Sequence, residues 1–210
     1  MDTPSLTVYA YTFRSRAERV IWLLEELHLP YAVQRLDPFK GETRSKEFLA
    51  INPAGKVPVL MHNGKAFTES LAIMEYLAAE FDGQRFIPQT PQTNYHYRHV
   101  LSYGSTELEA YLWLAEQSSR LNRRYQWPNG THERALAMAE QNMGTVYAWL
   151  QQQPYVAGQA FTLADIYYYH LLSWFEQISG TLADVASNYL HKLEQRPCFP
   201  ACVKNSDASK

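Results

Sequence analysis

The spacing of apolar positions changes period several times in the first 80 residues. Leu6-Thr7-Val8-Tyr9-Ala10-Tyr11 alternates in size and polarity and predicts a strand. Ala17, Val20, Leu24 and Leu27 then recur at helical steps, so an amphipathic helix is expected from near Ser15 to a stop at Pro30. Tyr31 to Leu36 predicts a second strand, and Glu47 to Ile51 a short helical piece after the polar stretch Lys40–Lys46. Val57–Met61 and Ala66-Phe67 flank His62-Asn63-Gly64-Lys65, the signal of a hairpin closed by a type I′ turn. From Ser70, Leu71, Met74, Leu77 and Ala78 again follow a helix. The order is β-α-β-α-β-β-α, with parallel pairing through the first crossover and an antiparallel hairpin at the edge.

The pattern changes near residue 82. Asp82 to Pro91 carries one Gly and two Pro and predicts a linker. Beyond it every periodic segment is helical: 93–120, 132–151, 163–177 and 181–195, the last stopped at Arg196-Pro197. The expected architecture is an α/β domain over 1–82, a linker over 83–91 and an all-α domain over 92–210. The polar tail Val203–Lys210 is expected to fray.

Composition narrows the class. The 210 residues are 46% hydrophobic and 19% charged, which suits a globular chain that buries about 70% of its unfolded surface. A net charge of −2 supplies no bulk attraction to nucleic acid or to a membrane surface. Only Cys198 and Cys202 are present, so no disulfide framework is expected. The start, Met1-Asp2-Thr3-Pro4, has no basic or apolar leader character, and no apolar run reaches the roughly 20 residues of a bilayer span. A cytosolic location is expected. The sequon Asn129-Gly130-Thr131 is read as a turn. Most of the 5 Trp, 15 Tyr and 9 Phe are assigned to helix–helix interfaces, with some left to line an apolar cleft.

Three places could carry chemistry. Ser15, between Arg14 and Arg16 at a strand-to-helix junction, could cap the helix, or its hydroxyl could hold a bound thiolate beside the unpaired N–H groups of the helix end. Val57-Pro58 could simply begin a strand. With a cis bond, it could instead turn the amide of Val57 outward toward an extended peptide ligand. Glu69-Ser70 could be an ordinary cap, or could bind an amino-acid-like zwitterion, the serine end taking a carboxylate and Glu69 an ammonium.

Taken with their spacing, Ser15, Lys56-Val57-Pro58 and Glu69-Ser70-Leu71-Ala72-Ile73 resemble the glutathione S-transferase family. Arg16 to Leu27 is similar to that family's first helix, and Asn52-Pro53-Ala54-Gly55-Lys56-Val57-Pro58-Val59-Leu60 to its segment around a cis-proline. Gly158 to Asp165 is similar to its N-capping box, with Thr162 and Asp165 as the reciprocal pair. The resemblance covers about residues 5–200.

It implies a thioredoxin-like α/β N-terminal domain and an all-α C-terminal domain that forms the wall of the electrophile site. It further implies a homodimer, and glutathione as co-substrate without a metal. Val57 before cis Pro58 would pair with the cysteinyl part of glutathione. Ser70 and Glu69 would hold the γ-glutamyl end, and Lys40 and Lys56 would approach the glycyl carboxylate. Ser15 matches the thiol-activating serine, with Tyr9 and Tyr11 as the alternatives used by tyrosine-type classes. Tyr103, Tyr111 and Trp113 are candidates for the wall against an apolar electrophile. The activity implied is glutathione transfer. The alternatives are peroxidase or isomerase chemistry on the same site, or a binding protein that kept the fold without catalysis.

Overall fold

The computed structural model describes residues 6–12, 14–119 and 126–200; the tail Val203–Lys210 and Cys202 lie outside them. The chain forms two compact units. One takes the chain up to Gln84 and again from Arg196; the other is Arg85–Gln195.

In the first unit, strands β1 (Leu6–Tyr11), β2 (Ala32–Leu36), β3 (Val59–His62) and β4 (Lys65–Thr68) make one sheet in the order β2-β1-β3-β4. β1 and β2 are parallel, joined through helix α1 (Ala17–Glu26), as a crossover requires. β3 and β4 form the expected antiparallel hairpin around Asn63-Gly64, both at positive φ. Leu6, Val8 and Ala10 are buried, as are Val20, Ile21 and Leu24 of α1 and Ile73, Met74 and Leu77 of α3 (Ser70–Glu80). The alternate face of the sheet packs Tyr9, Leu36 and Val59 against Phe48 of α2 (Lys46–Ile51). The order matches the expected β-α-β-α-β-β-α, and the arrangement is the thioredoxin-like one that the family resemblance implied.

The end of the described chain is clasped to this unit. Arg196 donates from Nε and Nη2 to the two carboxylate oxygens of Glu26 at 2.7 and 2.8 Å. Trp22 Nε1 donates to Glu26 Oε1 at 3.1 Å, and the Phe199 ring meets Trp22 edge-on at 4.8 Å. Nothing in the hydropathy pattern marks this return. Its contacts include a bidentate ion pair and an edge-on aromatic pair, neither of which has a periodic signature.

The second unit is helical: α4 (Pro91–Tyr103), α5 (Ala110–Ser118), α6 (Thr131–Gln152), α7 (Leu163–Ser179) and α8 (Asp184–Glu194). The expected uninterrupted helix over 93–120 is split by a π-helical segment, Gly104–Glu109, between α4 and α5. Gly104 explains part of it: a Cβ there would stand 2.8 Å from the Tyr167 ring. Asn142 fastens the bulge from α6, donating Nδ2 to the Glu107 carbonyl at 2.7 Å while its own carbonyl accepts from Tyr103 Oη at 3.0 Å. α8 begins three residues later than its periodicity suggests, because Gly180 caps α7 in the left-handed conformation and Ala183 is extended.

α7 is the core of this unit and is buried almost throughout from Leu163 to Phe175. Its N-terminus carries the expected capping box. Asp165 accepts from the Thr162 backbone N–H at 2.7 Å, the Thr162 hydroxyl at 3.0 Å, the Val156 N–H at 2.9 Å and the Tyr189 hydroxyl at 2.6 Å. Burial raises its pKa from the ordinary aspartate value, with these bonds opposing the shift. The same burial, reinforced by the neighbouring carboxylate, drives the Tyr189 phenol far up.

Candidate functional site

Strand directions bring four loops to one end of the sheet. β1 and β2 are parallel, so Tyr11 and Leu36 finish side by side. β3 is antiparallel to β1 with Val59 opposite Tyr9, so the loop leading into β3 arrives at that end. β4 pairs Thr68 with Val59 and therefore leaves from the same end. Segments carrying Ser15, Lys40, Lys56-Val57-Pro58 and Glu69-Ser70 thus share one edge of the first unit, the edge where open α/β sheets place their ligands.

Ser15 is half-buried just ahead of α1. Its carbonyl accepts the Glu18 N–H at 3.0 Å. Its hydroxyl accepts from the Ala17 N–H at a long 3.4 Å, so the hydroxyl proton is not consumed by this contact and can be donated outward. Arg16 occupies the cap position without a capping side chain. The expected serine cap is therefore weak, and the donor remains available.

The peptide bond Val57-Pro58 is cis. The loop before it is held by Asn52, whose Nδ2 donates to the Lys56 carbonyl at 2.8 Å and whose Oδ1 accepts the Ala54 N–H at 3.1 Å. Gly55 has φ +61°, and a Cβ there would stand 2.7 Å from the Thr43 carbonyl oxygen, so only glycine fits. Val57 makes no backbone hydrogen bond among the described residues, which leaves its N–H and C=O for an extended ligand. Lys56 is exposed beside it.

Glu69 holds the backbone at φ +68°, outside the range ordinary residues prefer, and its side chain is exposed. Ser70 is buried as the first residue of α3 and does not serve as its cap. Its Oγ accepts from Arg19 Nη1 at 3.2 Å, which leaves the hydroxyl proton and the first N–H groups of α3 for a carboxylate. Lys40 closes a single 3-10 turn, Pro38–Lys40, capped by Asp37, and stands 3.8 Å from the Asp37 carboxylate with 74% of its side chain exposed. Among the predicted residues it is the one whose charge is already shared with an acid.

Tyr9 packs its ring against Phe48 at 5.6 Å, inside the cluster with Leu36 and Val59. The Tyr11 carbonyl accepts from Arg35 Nη1 at 2.8 Å. In the helical unit, Tyr103 is engaged by Asn142 and by the Trp149 ring at 5.1 Å. Tyr111 lines a cavity of about 300 Å³ with Leu114, Ala135 and Met138, and Trp113 is half-buried on α5.

Two residues of this edge escaped the sequence reading. Arg19 looks like one more basic residue on an amphipathic helix, yet it is 2% exposed and places its guanidinium behind Ser70. Glu18 is 7% exposed, accepts from Arg14 Nε at 3.2 Å and donates its backbone N–H to the Ser15 carbonyl at 3.0 Å. Burial pushes its carboxyl up to about 7, with Arg14 opposing the shift. A signal for it does exist: Ser15-Arg16-Ala17-Glu18 has capping-box spacing.

A unit with a thioredoxin-like sheet and a cis-proline loop, together with an all-helical second unit, is the two-domain class that the sequence resemblance implied. Family models describe the rest: residues 4–79 match the N-terminal domain of glutathione S-transferases and residues 129–196 the C-terminal domain. The chain belongs to the glutathione S-transferase family. It is 34% identical to glutathione S-transferase 1 of Dianthus caryophyllus, over 51% of this chain and 46% of that protein, so this match spans about half the relative's length. Over 87% of this chain and 84% of the relative, it is 26% identical to glutathione S-transferase A of Pleuronectes platessa. Its fold is similar to that of glutathione transferase URE2P6 from Phanerochaete chrysosporium, solved in complex with oxidized glutathione, at a TM-score of 0.82 and 24% identity, covering 99% of this chain and 98% of that one. No helix among the described residues is long and apolar enough to cross a membrane.

Proposed function

We propose that the protein is a glutathione transferase in which Ser15 donates a hydrogen bond to the glutathione sulfur and holds it as thiolate for attack on an apolar electrophile. The observation that carries this reading is the meeting, at one sheet edge, of a serine with an uncommitted donor, the open Val57 amide before Pro58, and the Glu69-Ser70 start of α3. The three match the parts of a γ-glutamyl-cysteinyl-glycine peptide. Val57 supplies antiparallel backbone bonds to the middle residue. Ser70 and the α3 amides, backed by the Arg19 guanidinium, supply charge for the γ-glutamyl carboxylate, and Glu69 faces its ammonium. Lys56 and Lys40 are assigned to the glycyl carboxylate.

A free cysteine thiol has a pKa near 8.5, so only about 3% is thiolate at pH 7. A donated hydrogen bond favours the charged form, and each unit of lowering corresponds to about 1.4 kcal/mol. Ser15 stays non-covalent: the thiol proton leaves to solvent, the sulfur attacks, and the donor stabilises negative charge before and during attack. The packing of Tyr9 on Phe48 favours Ser15 over Tyr9 for this role. The same reading includes a cytosolic homodimer.

Calorimetry with glutathione, followed by conjugation of a chlorinated nitroarene, tests it. Binding in the millimolar range or tighter together with turnover is expected, and Ser15→Ala keeps the binding while slowing turnover at least tenfold. No binding at millimolar glutathione overturns the reading. A Ser15→Ala variant as fast as its parent, beside a slow Tyr9→Phe or Tyr11→Phe, overturns the assignment of the activator.

A further inference from the structure

We propose that the cavity between α5 and the start of α6 is a binding site for a small aromatic carboxylate, held by Arg134, Tyr111 and Asn129. The cavity lies wholly within the helical unit. The proposal goes beyond the transferase reading and does not depend on it.

The cavity measures about 300 Å³, at the lower end of pockets that take small ligands. Leu114 of α5 and Ala135 and Met138 of α6 give it an apolar lining, and Tyr111 adds an aromatic ring. Its walls are fixed by the protein itself. His132 Nδ1 donates to the Ala115 carbonyl at 2.7 Å and ties the first turn of α6 to α5. The Thr131 hydroxyl donates to the Pro128 carbonyl at 2.7 Å and holds the turn ahead of α6. A ligand therefore meets a site whose ordering cost is already met.

The polar side chains of the lining point to the chemistry of the occupant. Thr131 is committed to Pro128, but Tyr111, Asn129 and Arg134 make no side-chain hydrogen bond or ion pair among the described residues. Elsewhere in this unit the hydroxyls of Tyr103, Tyr168, Tyr169 and Tyr189 are all donated to protein acceptors. A phenol, a carboxamide and a guanidinium around one apolar space offer donors and one positive charge. No acidic side chain among the described residues lines the cavity to neutralise it. The complement is an apolar body carrying an anion with two acceptor oxygens, and the planar fork of a guanidinium fits a carboxylate. The Tyr111 ring and the Met138 thioether favour an aromatic body over an aliphatic one.

The test is calorimetry of the full chain, without glutathione, against naphthoate and its neutral counterpart naphthalenemethanol. Naphthoate is expected to bind below millimolar concentration, and the alcohol at least roughly fivefold more weakly. Arg134 is exposed, so Arg134→Met is expected to fold as the parent does. It should weaken naphthoate by roughly fivefold or more and leave the alcohol unchanged. Tyr111→Leu, which removes the ring, should weaken both compounds. No binding of naphthoate at millimolar concentration overturns the proposal. So does an alcohol that binds as tightly as the acid, or an equal affinity for naphthoate in the parent and Arg134→Met, which would put the ligand elsewhere.

Discussion

Two helix starts in this molecule share one sequence formula and do opposite things with it. At the start of α7, Thr162-Leu163-Ala164-Asp165 closes on itself: the Thr162 hydroxyl donates to Asp165 and accepts from the Ala164 N–H at 3.2 Å, and Asp165 receives four hydrogen bonds. Ahead of α1, Ser15-Arg16-Ala17-Glu18 closes only on the backbone side. The Glu18 N–H holds the Ser15 carbonyl, while the Ser15 hydroxyl makes one long contact and keeps its proton. A hydroxyl–carboxylate cap with every group satisfied is a fastening. The same motif with its hydroxyl left over is a place to hold an anion.

The contrast breaks most easily on stability. Asp165→Ala leaves the Thr162 and Val156 amides and the Tyr189 hydroxyl buried without their acceptor, and is expected to cost about 3–5 kcal/mol in urea unfolding at pH 7. Glu18→Gln sharpens it through pH. A folded-state value near 7 against an ordinary 4.5 means that the folded chain holds this proton more tightly. The stabilisation is fully present below pH 4.5 and is lost as pH rises through 7. Relative to Glu18→Gln, the parent should therefore lose up to about 3 kcal/mol between roughly pH 4 and pH 8. Equal pH slopes in the two proteins would place Glu18 among ordinary surface carboxylates. Ser15→Ala should fall at the bottom of the scale, within about 0.5 kcal/mol of the parent in the same urea experiment, because its capping bond is long. A loss comparable with that of Asp165→Ala would erase the distinction between the two helix starts.

Much of this architecture was legible in the sequence. Periodicity located β1 and the main helices, because each buries a regular stripe, whereas β2 and β4 are largely exposed and were marked by residue type and by the Asn-Gly turn. The proline in the loop before β3 and the Asn-Gly turn marked the hairpin. The π-helical segment at Gly104–Glu109 was not visible, since it depends on Asn142 and on rings of α7 that are far away in sequence. The Arg196–Glu26 clasp joins residues 170 positions apart and leaves no local trace. At the candidate site, residue types and spacing singled out Ser15, Val57, Pro58, Glu69 and Ser70, and the strand directions bring them to one end of the sheet. What residue types could not show was burial. They single out neither Arg19 nor Glu18, and only the packing around α1 shows them as buried charges beside Ser70 and Arg14.

The central claim is that the serine ahead of α1 keeps a bound sulfur ionised, and the thiolate content of protein-bound glutathione at pH 7 tests it most directly. In the parent, the thiolate absorbance should stand far above the roughly 3% ionisation of a free thiol. In Ser15→Ala, it should drop back toward that level while glutathione stays bound. Equal thiolate signals in the two proteins, or a parent no more ionised than glutathione in solution, would contradict the account.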